Sequence, residues 1–256
     1  MSLNSSEKHL ISIISPSYNS SDFIEETINS ISAQTYQNWE LIVVDDCSKD
    51  NTVSILKKLS KNDSRIKIFT NTTNKGAAIS RNIGLENASG RFIAFIDSDD
   101  LWYPQKLEIQ INFMLSNFYP ISFTSYELID EMGLPLNKIM QTVEKIDYRG
   151  YMKNTIIGMS TSMIDRSLVG NEFRFTNIRT RQDTYLWITL LKKGHKAYGI
   201  NQILAKYRVR SDSISANKIK AAKRVWYLYY NLEKLGIVKS TYFFCFYVYN
   251  ALKKRM

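Results

Sequence analysis

Cysteine is nearly missing from this 256-residue chain: Cys47 and Cys245 are the only two, far apart and in no CxxC spacing. A disulfide framework and a cysteine-built metal site are thereby excluded, and a reducing compartment is expected. His9 and His195, the only histidines, are isolated, so surface or packing roles are expected of both. Long apolar runs are missing too, because Lys, Glu or Asn interrupts each stretch before it reaches the roughly 18 residues that cross a bilayer. Residues 1–8 lack the basic segment, apolar run and small-residue cleavage site of an export signal, and no export is expected. No GxxxxGK[ST] occurs and no GxGxxG follows the first β-like run, which leaves P-loop and dinucleotide readings without support. There is no internal repeat and no low-complexity segment.

Acidic residues are scarce in one region above all. From residue 213 onward Glu233 is the only acid against nine lysines and arginines, so this tail holds most of the formal net charge of +10. Two aromatic runs are interleaved with the charge, Trp226-Tyr227-Leu228-Tyr229-Tyr230 and Tyr242 to Tyr249. Rings at headgroup depth and lysines on lipid phosphate make an anionic membrane surface the expected partner. Packing of those rings against the rest of the chain is the alternative, and nucleic acid is not expected as a partner.

What is present is a chain with 44% hydrophobic residues, long enough for one substantial core. Its first half alternates short β-branched runs with amphipathic segments, the pattern of an α/β sheet flanked by helices. Strands are predicted over Leu10 to Ser15, Glu40 to Val44, Ile66 to Phe69 and Arg91 to Ile96, and helices over Asp22 to Ala33, Asn51 to Lys61, Gly76 to Ala88 and Pro104 to Asn117. In the last of these Leu107, Ile111, Met114 and Phe118 recur at the spacing of one helical face. After Tyr119 the pattern is less regular, with a Gly133-Leu134-Pro135 turn, a short helix over Tyr148 to Lys153, a strand near Ser160 to Ile164 and a helix near Arg181 to Lys193. Residues 1–117 read as a nucleotide-binding half, 118–212 as an acceptor-binding half of the same domain, and 213–256 as a basic aromatic helical tail.

Three polar clusters follow predicted strands: Ser15-Pro16-Ser17-Tyr18-Asn19, Asp45-Asp46-Cys47-Ser48-Lys49-Asp50 and Asp97-Ser98-Asp99-Asp100. Ligands of open α/β sheets bind beyond the carboxyl ends of strands, so the three are expected to converge on one crevice. In extended backbone Asp97 and Asp99 project to the same side, and two carboxylates facing one point call for a hard cation, Mg²⁺ or Mn²⁺, able to bridge a diphosphate. The alternative is that Asp99 or Asp100 caps the following helix. Asp45 and Asp46 have the same two readings, ligand acceptor or cap. Lys75, Arg81 and Asn82 flank a glycine-containing helix start suited to phosphate charge, with a structural salt bridge an equal possibility for Arg81. An Asp-x-Asp also opens haloacid dehalogenase phosphatases, but there it stands on the first strand, not the fourth.

The ordered series resembles family 2 of the inverting glycosyltransferases, with the GT-A fold. It runs from Pro16-Ser17-Tyr18-Asn19 through Val43 to Thr52, Asn74-Lys75-Gly76 and Arg81-Asn82-Ile83-Gly84 to Asp97-Ser98-Asp99-Asp100 and Trp102, over about the first 110 residues. The resemblance implies a Rossmann-like, mostly parallel sheet, here followed by C-terminal amphipathic helices. It implies that Pro16, Tyr18, Asp46 and Lys75 contact nucleoside and phosphates, that Asp97 and Ser98 take ribose, sugar or metal, and that Asp99 ligates Mn²⁺ or Mg²⁺. The family's second signature, an acidic pair opening a helix, is matched by Arg181-Gln182-Asp183-Thr184-Tyr185-Leu186-Trp187, with Asp183 as general base and Gln182 in place of the usual acid. Its later Tyr-Arg-x-His segment reads Tyr207-Arg208-Val209-Arg210 here. Arg210 is permanently protonated and cannot ligate a metal, but it can pair with a diphosphate. The expected reaction transfers a hexose or N-acetylhexosamine from a UDP-sugar, with inversion, to a saccharide linked to undecaprenyl diphosphate in bacterial O-antigen or capsule synthesis. The expected address is cytoplasmic, peripheral on the inner face of the cell membrane. Loss of turnover, leaving a nucleotide-sugar-binding scaffold, is the alternative suggested by Gln182 and Arg210.

Overall fold

The computed structural model describes residues 9–210 and 218–253. Its first half alternates strictly: β1 (Ile11–Ser17), α1 (Ile24–Ser32), β2 (Trp39–Asp45), α2 (Thr52–Asn62), β3 (Ile66–Thr70), α3 (Ala77–Glu86) and β4 (Phe92–Phe95). Then follow β5 (Leu101–Trp102), α4 (Lys106–Asn117), β6 (Ile121–Ile129), β7 (Pro135–Met140), β8 (Lys145–Ile146), α5 (Tyr148–Lys153), β9 (Met163–Asp165), α6 (Arg166–Val169), α7 (Gln182–Lys192) and β10 (Ala197–Arg208). The tail supplies α8 (Lys218–Tyr227), a π-helical turn (Leu228–Leu232) and α9 (Gly236–Lys253).

All the strands join one sheet in the order β3-β2-β1-β4-β9-β6-β10-β5, with β7 on β6 and β8 on β10. From β3 to β4 every pairing is parallel. Beyond β4 the expected parallel character gives way to a mixed sheet, because β9 runs antiparallel to both β4 and β6 while β6 and β10 are parallel. Burial on both faces explains the near-continuous apolar runs of β1, β2 and β4, every residue of β2 being buried. Alternation sorts their side chains into two cores. Ile11, Ile13, Phe92 and Ala94 join Ile28 of α1 and Ile111 of α4 on one face, while Ile14, Ile93 and Phe95 meet Leu85 of α3 and Trp187 of α7 on the other.

Close approach requires glycine at two of the predicted turn and motif positions. A Cβ at Gly84 would lie 2.5 Å from Ile14 Cγ2, and one at Gly90 would lie 2.6 Å from the Leu10 carbonyl oxygen. The tail packs as well as protrudes. Val225, Leu228, Tyr229 and Phe243 are buried in the α7-side core, the Tyr229 hydroxyl donates to the Met152 carbonyl at 2.7 Å, and Glu233 accepts from Tyr148 (3.0 Å) and Lys192 (2.8 Å). Packing therefore accounts for those rings, while Tyr227, Tyr230, Tyr242 and Tyr249 remain 45–63% exposed. Among the described residues no helix is long and apolar enough to cross a membrane.

Candidate active site

The loops after β1, β2 and β4 form one hydrogen-bonded assembly. Asn19 N donates to Ser48 Oγ (2.9 Å), Lys49 N to Asn19 Oδ1 (2.8 Å) and Ser20 N to Thr52 Oγ1 (2.8 Å), with Asn19 and Cys47 both in the left-handed region. Ser20 and Ser98 share a hydroxyl hydrogen bond of 2.7 Å, and Thr27 Oγ1 donates to the Ser98 carbonyl, so Ser98 ties the acidic turn to the first loop. Asp45 is taken up by the amide and hydroxyl of Ser48. Asp46, only 3% exposed, accepts from Lys75 N (2.9 Å), Gly76 N (2.7 Å) and Asn71 Nδ2 (2.8 Å). Its first task is thus to set the Lys75 loop, whose glycine adopts φ +86° ahead of α3. Neither aspartate is a helix cap; Asp50 accepts from the amide and hydroxyl of Thr52 at the start of α2.

The acidic turn is reached differently from the extended path expected. β4 ends at Phe95 and the chain turns at Ser98 and Asp99, yet Asp97 and Asp99 still face one cleft. Asp97 Oδ1 receives Arg81 at 2.5 Å, and Asp99 Oδ2 lies 3.6 Å from Arg210. Burial and the neighbouring charge of Asp97 push the Asp99 carboxyl up to about 6, Arg210 and Arg208 pulling the other way. Asp100 points inward, fully buried, accepting from Ser160 Oγ and from Arg208 N (3.0 Å), and burial with the charges of Asp99 and Asp97 raises it far above the usual carboxylate range. The capping alternative fails here, since β5 intervenes and α4 starts at Lys106 with no side-chain cap. Arg208 staples the turn from behind: its guanidinium donates to the Asp99 carbonyl (2.8 Å) and the Glu131 carbonyl (3.0 Å) and pairs with Glu26 (2.6 Å).

Asp183 lines the same cleft. It lies in the first turn of α7, behind Arg181 at φ 64°, where no side chain caps the helix. The segment leading to it is clamped to α3 by reciprocal 2.8 Å bonds between the Asn82 amide and the backbone of Phe175. Arg181 in turn donates to the Tyr247 hydroxyl of α9 at 3.1 Å. One cleft of about 500 Å³ holds Tyr18, Asp97, Asp99, Asp183 and Arg210 of the predicted set; Pro16, Asp46, Lys75 and Ser98 support it from outside its lining. Arg81 also reaches the cleft, and its Nε and NH1 are buried with no protein partner. Arg181, Gln182 and Tyr207, which stood in the two later motifs, line it too, as do Arg179, Thr180, Ala221 and Arg224, to which the sequence reading gave no role in the site. The cleft thus sets two carboxylates against a third, within a rim of arginines suited to phosphate.

A sequence model of glycosyl transferase family 2 matches residues 12–173. The chain belongs to that family. It is 48% identical over 249 residues, 97% of its length and 98% of the relative's, to the putative teichuronic acid biosynthesis glycosyltransferase TuaG of Bacillus subtilis (strain 168). It is 45% identical over 221 residues, covering 86% of this chain and 85% of the other, to the Escherichia coli UDP-Glc:alpha-D-GlcNAc-diphosphoundecaprenol beta-1,3-glucosyltransferase WfgD. The fold matches that of S. aureus TarS 1-349 in complex with UDP-GlcNAc, with a TM-score of 0.70 at 21% identity over 86% of this chain and 66% of that one. This family 2 chain is accordingly a glycosyltransferase with the GT-A fold, and the α/β expectation and the resemblance both hold.

Proposed function

We propose that this glycosyltransferase moves a hexose or N-acetylhexosamine from a UDP-sugar, with inversion, to a saccharide linked to undecaprenyl diphosphate, in synthesis of a bacterial surface polysaccharide. The observation that carries it is the placement of Asp183 in the same cleft as Asp97 and Asp99, which Arg81 and Arg210 also line. The donor nucleoside lies along Pro16, Tyr18 and the Lys75 loop, and Asp46, with three of about four acceptor sites used, keeps one for the base or ribose. Asp97 and Ser98 stand at the sugar end, and Arg210 and Arg81 take diphosphate charge. Asp183 accepts the proton of the acceptor hydroxyl as that oxygen bonds to the anomeric carbon, and the bond to the diphosphate breaks on the opposite face, releasing UDP.

The residues fit a divalent cation. Asp99 offers a carboxylate in the same cleft as that of Asp97, the kind of oxygen donor that Mn²⁺ or Mg²⁺ takes. Among the described residues no three His, Cys, Asp or Glu side chains gather as a metal cage, so phosphate oxygens and water would complete the coordination. Asp99 and Asp97 would hold such an ion, which would supply charge stabilisation to a departing diphosphate.

The relatives support the acceptor class, since WfgD is named for a diphosphoundecaprenol acceptor and TuaG for teichuronic acid. A lipid-borne acceptor also suits the exposed rings of the tail, placing the enzyme peripherally on the cytoplasmic membrane face. The deciding experiment titrates UDP-sugars by calorimetry and measures transfer by Asp183→Asn. Transfer should fall about 10²- to 10⁴-fold with UDP binding intact; transfer at the wild-type rate would remove Asp183 from the role of base.

A further inference from the structure

A second groove of about 360 Å³ adjoins the cleft. Arg179, Thr180 and Arg224 border both, whereas Tyr18, Asp97 and Asp99 border only the first, so the second lies on the side away from the acidic turn. Its own contributions are Lys223, Tyr227, Ile178 and Leu228. Leu228 is buried and forms an apolar floor, Tyr227 is half exposed, and Lys223 is exposed at the rim. Among the described residues that line the groove there are three cations and no carboxylate.

We propose that this groove holds the diphosphate and the first isoprene units of a polyprenyl-diphosphate-linked acceptor. The inference rests on the lipid-linked acceptor proposed above and adds where its anionic linker is read. In-line inversion requires the acceptor oxygen to approach opposite the departing UDP, which puts the acceptor beyond Asp183 as seen from Asp99. The groove shares Arg179 and Thr180, just ahead of Asp183 in the chain, with the cleft and borders none of the acidic turn. Arg179, Lys223 and Arg224 match the charge of a diphosphate, and arginine forks suit its paired oxygens. Ile178, Leu228 and the ring of Tyr227 match the hydrocarbon that follows it. A nucleotide would have no use for the apolar floor, and a plain lipid tail none for the cations.

The test uses the full chain, saturated with UDP and Mn²⁺ to fill the donor cleft, and farnesyl diphosphate as a soluble probe. Binding measured by calorimetry should persist under saturating UDP, farnesol should not bind, and Lys223→Glu should weaken the probe by about tenfold or more, the size expected for losing one charge-assisted contact. Lys223→Arg should restore it, and Arg179→Ala should weaken it similarly. With a lipid-linked saccharide, Lys223→Glu should raise the acceptor KM and leave the donor KM unmoved. Competition by UDP, equal binding of farnesol, or unaltered binding by Lys223→Glu would each overturn the assignment. Probe binding in a protein that takes up no UDP-sugar would sink the donor reading and leave the groove standing, so the two failures are separable.

Discussion

Lys106 is fully buried at the start of α4, and replacing it should stabilise the protein at neutral pH and destabilise it in alkali. Its ammonium donates to Gln110 Oε1 at 2.7 Å and lies 4.0 Å from the Trp102 ring centre, and no carboxylate pairs with it among the described residues. Burial alone pushes its pKa down to about 7 from 10.5. Between those values the unfolded chain holds a proton that the folded chain has released, so wild-type stability rises with pH across that window, by about 1.4 kcal/mol per unit. At pH 8 the group still costs about 3 kcal/mol relative to its value above pH 10.5. Lys106→Met removes that cost but leaves Gln110 Oε1 without its donor, a loss of about 1–2 kcal/mol. The variant should therefore be more stable by roughly 1–2 kcal/mol at pH 8 and less stable by a similar amount above pH 10.5, the two curves crossing between. Urea unfolding followed by tryptophan fluorescence from pH 7 to pH 10.5 measures both. Parallel curves, with Lys106→Met the less stable throughout, would mean that the ammonium stays charged against Trp102 and Gln110, and the argument from burial would fail.

Three other outcomes follow from the site. Asn82→Ala deletes both bonds to the Phe175 backbone, should cost about 1–3 kcal/mol in urea unfolding, and should lower kcat more than it raises the donor KM, because the segment leading to Asp183 loosens. Asp99→Ala should weaken UDP binding in Mn²⁺ to the level that the wild type shows with chelator; a variant still strengthened by Mn²⁺ would move the ligand elsewhere. Serine at the exposed Tyr242 and Tyr249 should reduce co-sedimentation with anionic vesicles, whereas unchanged sedimentation would deny those rings a membrane role. These substitutions test the surface better than deletion of α9, whose Phe243 belongs to the core.

The sequence announced the first half of the fold and less of the second for a geometric reason. β1 to β4 and α1 to α4 stand within two residues of their predicted bounds, because β1, β2 and β4 are buried on both faces and α1, α2 and α3 each follow a strand through a short polar loop. β6 and β10 went unpredicted. β6 mixes Ser, Thr and Glu into its nine residues, and β10 carries register irregularities between Ile200 and Ala205 that break the period of two on which strand reading depends. The tail showed its composition but not its division of labour, since Tyr229 and Tyr230 are adjacent on one helical segment and only the first faces the core.

The site divides along the same line. Tyr18, Asp97 and Asp99 follow strand ends in chain order, so they could be read from local pattern even though the backbone turns where an extended path was expected after β4. The other lining residues come from segments far apart: Arg179 and Asp183 around the start of α7, Tyr207 and Arg210 at the end of β10, Arg224 on α8. No spacing rule links them; only the mixed half of the sheet and the docking of the tail bring them together. The family match stops at residue 173, before every one of them. The family model thus covers the loops after β1, β2 and β4, and the rest of the cleft wall is built from the part that follows. Arg208 joins the two, its backbone amide on Asp100 and its guanidinium on the Asp99 carbonyl, so the position of the acidic turn depends on the strand that carries Tyr207 and Arg210 into the cleft.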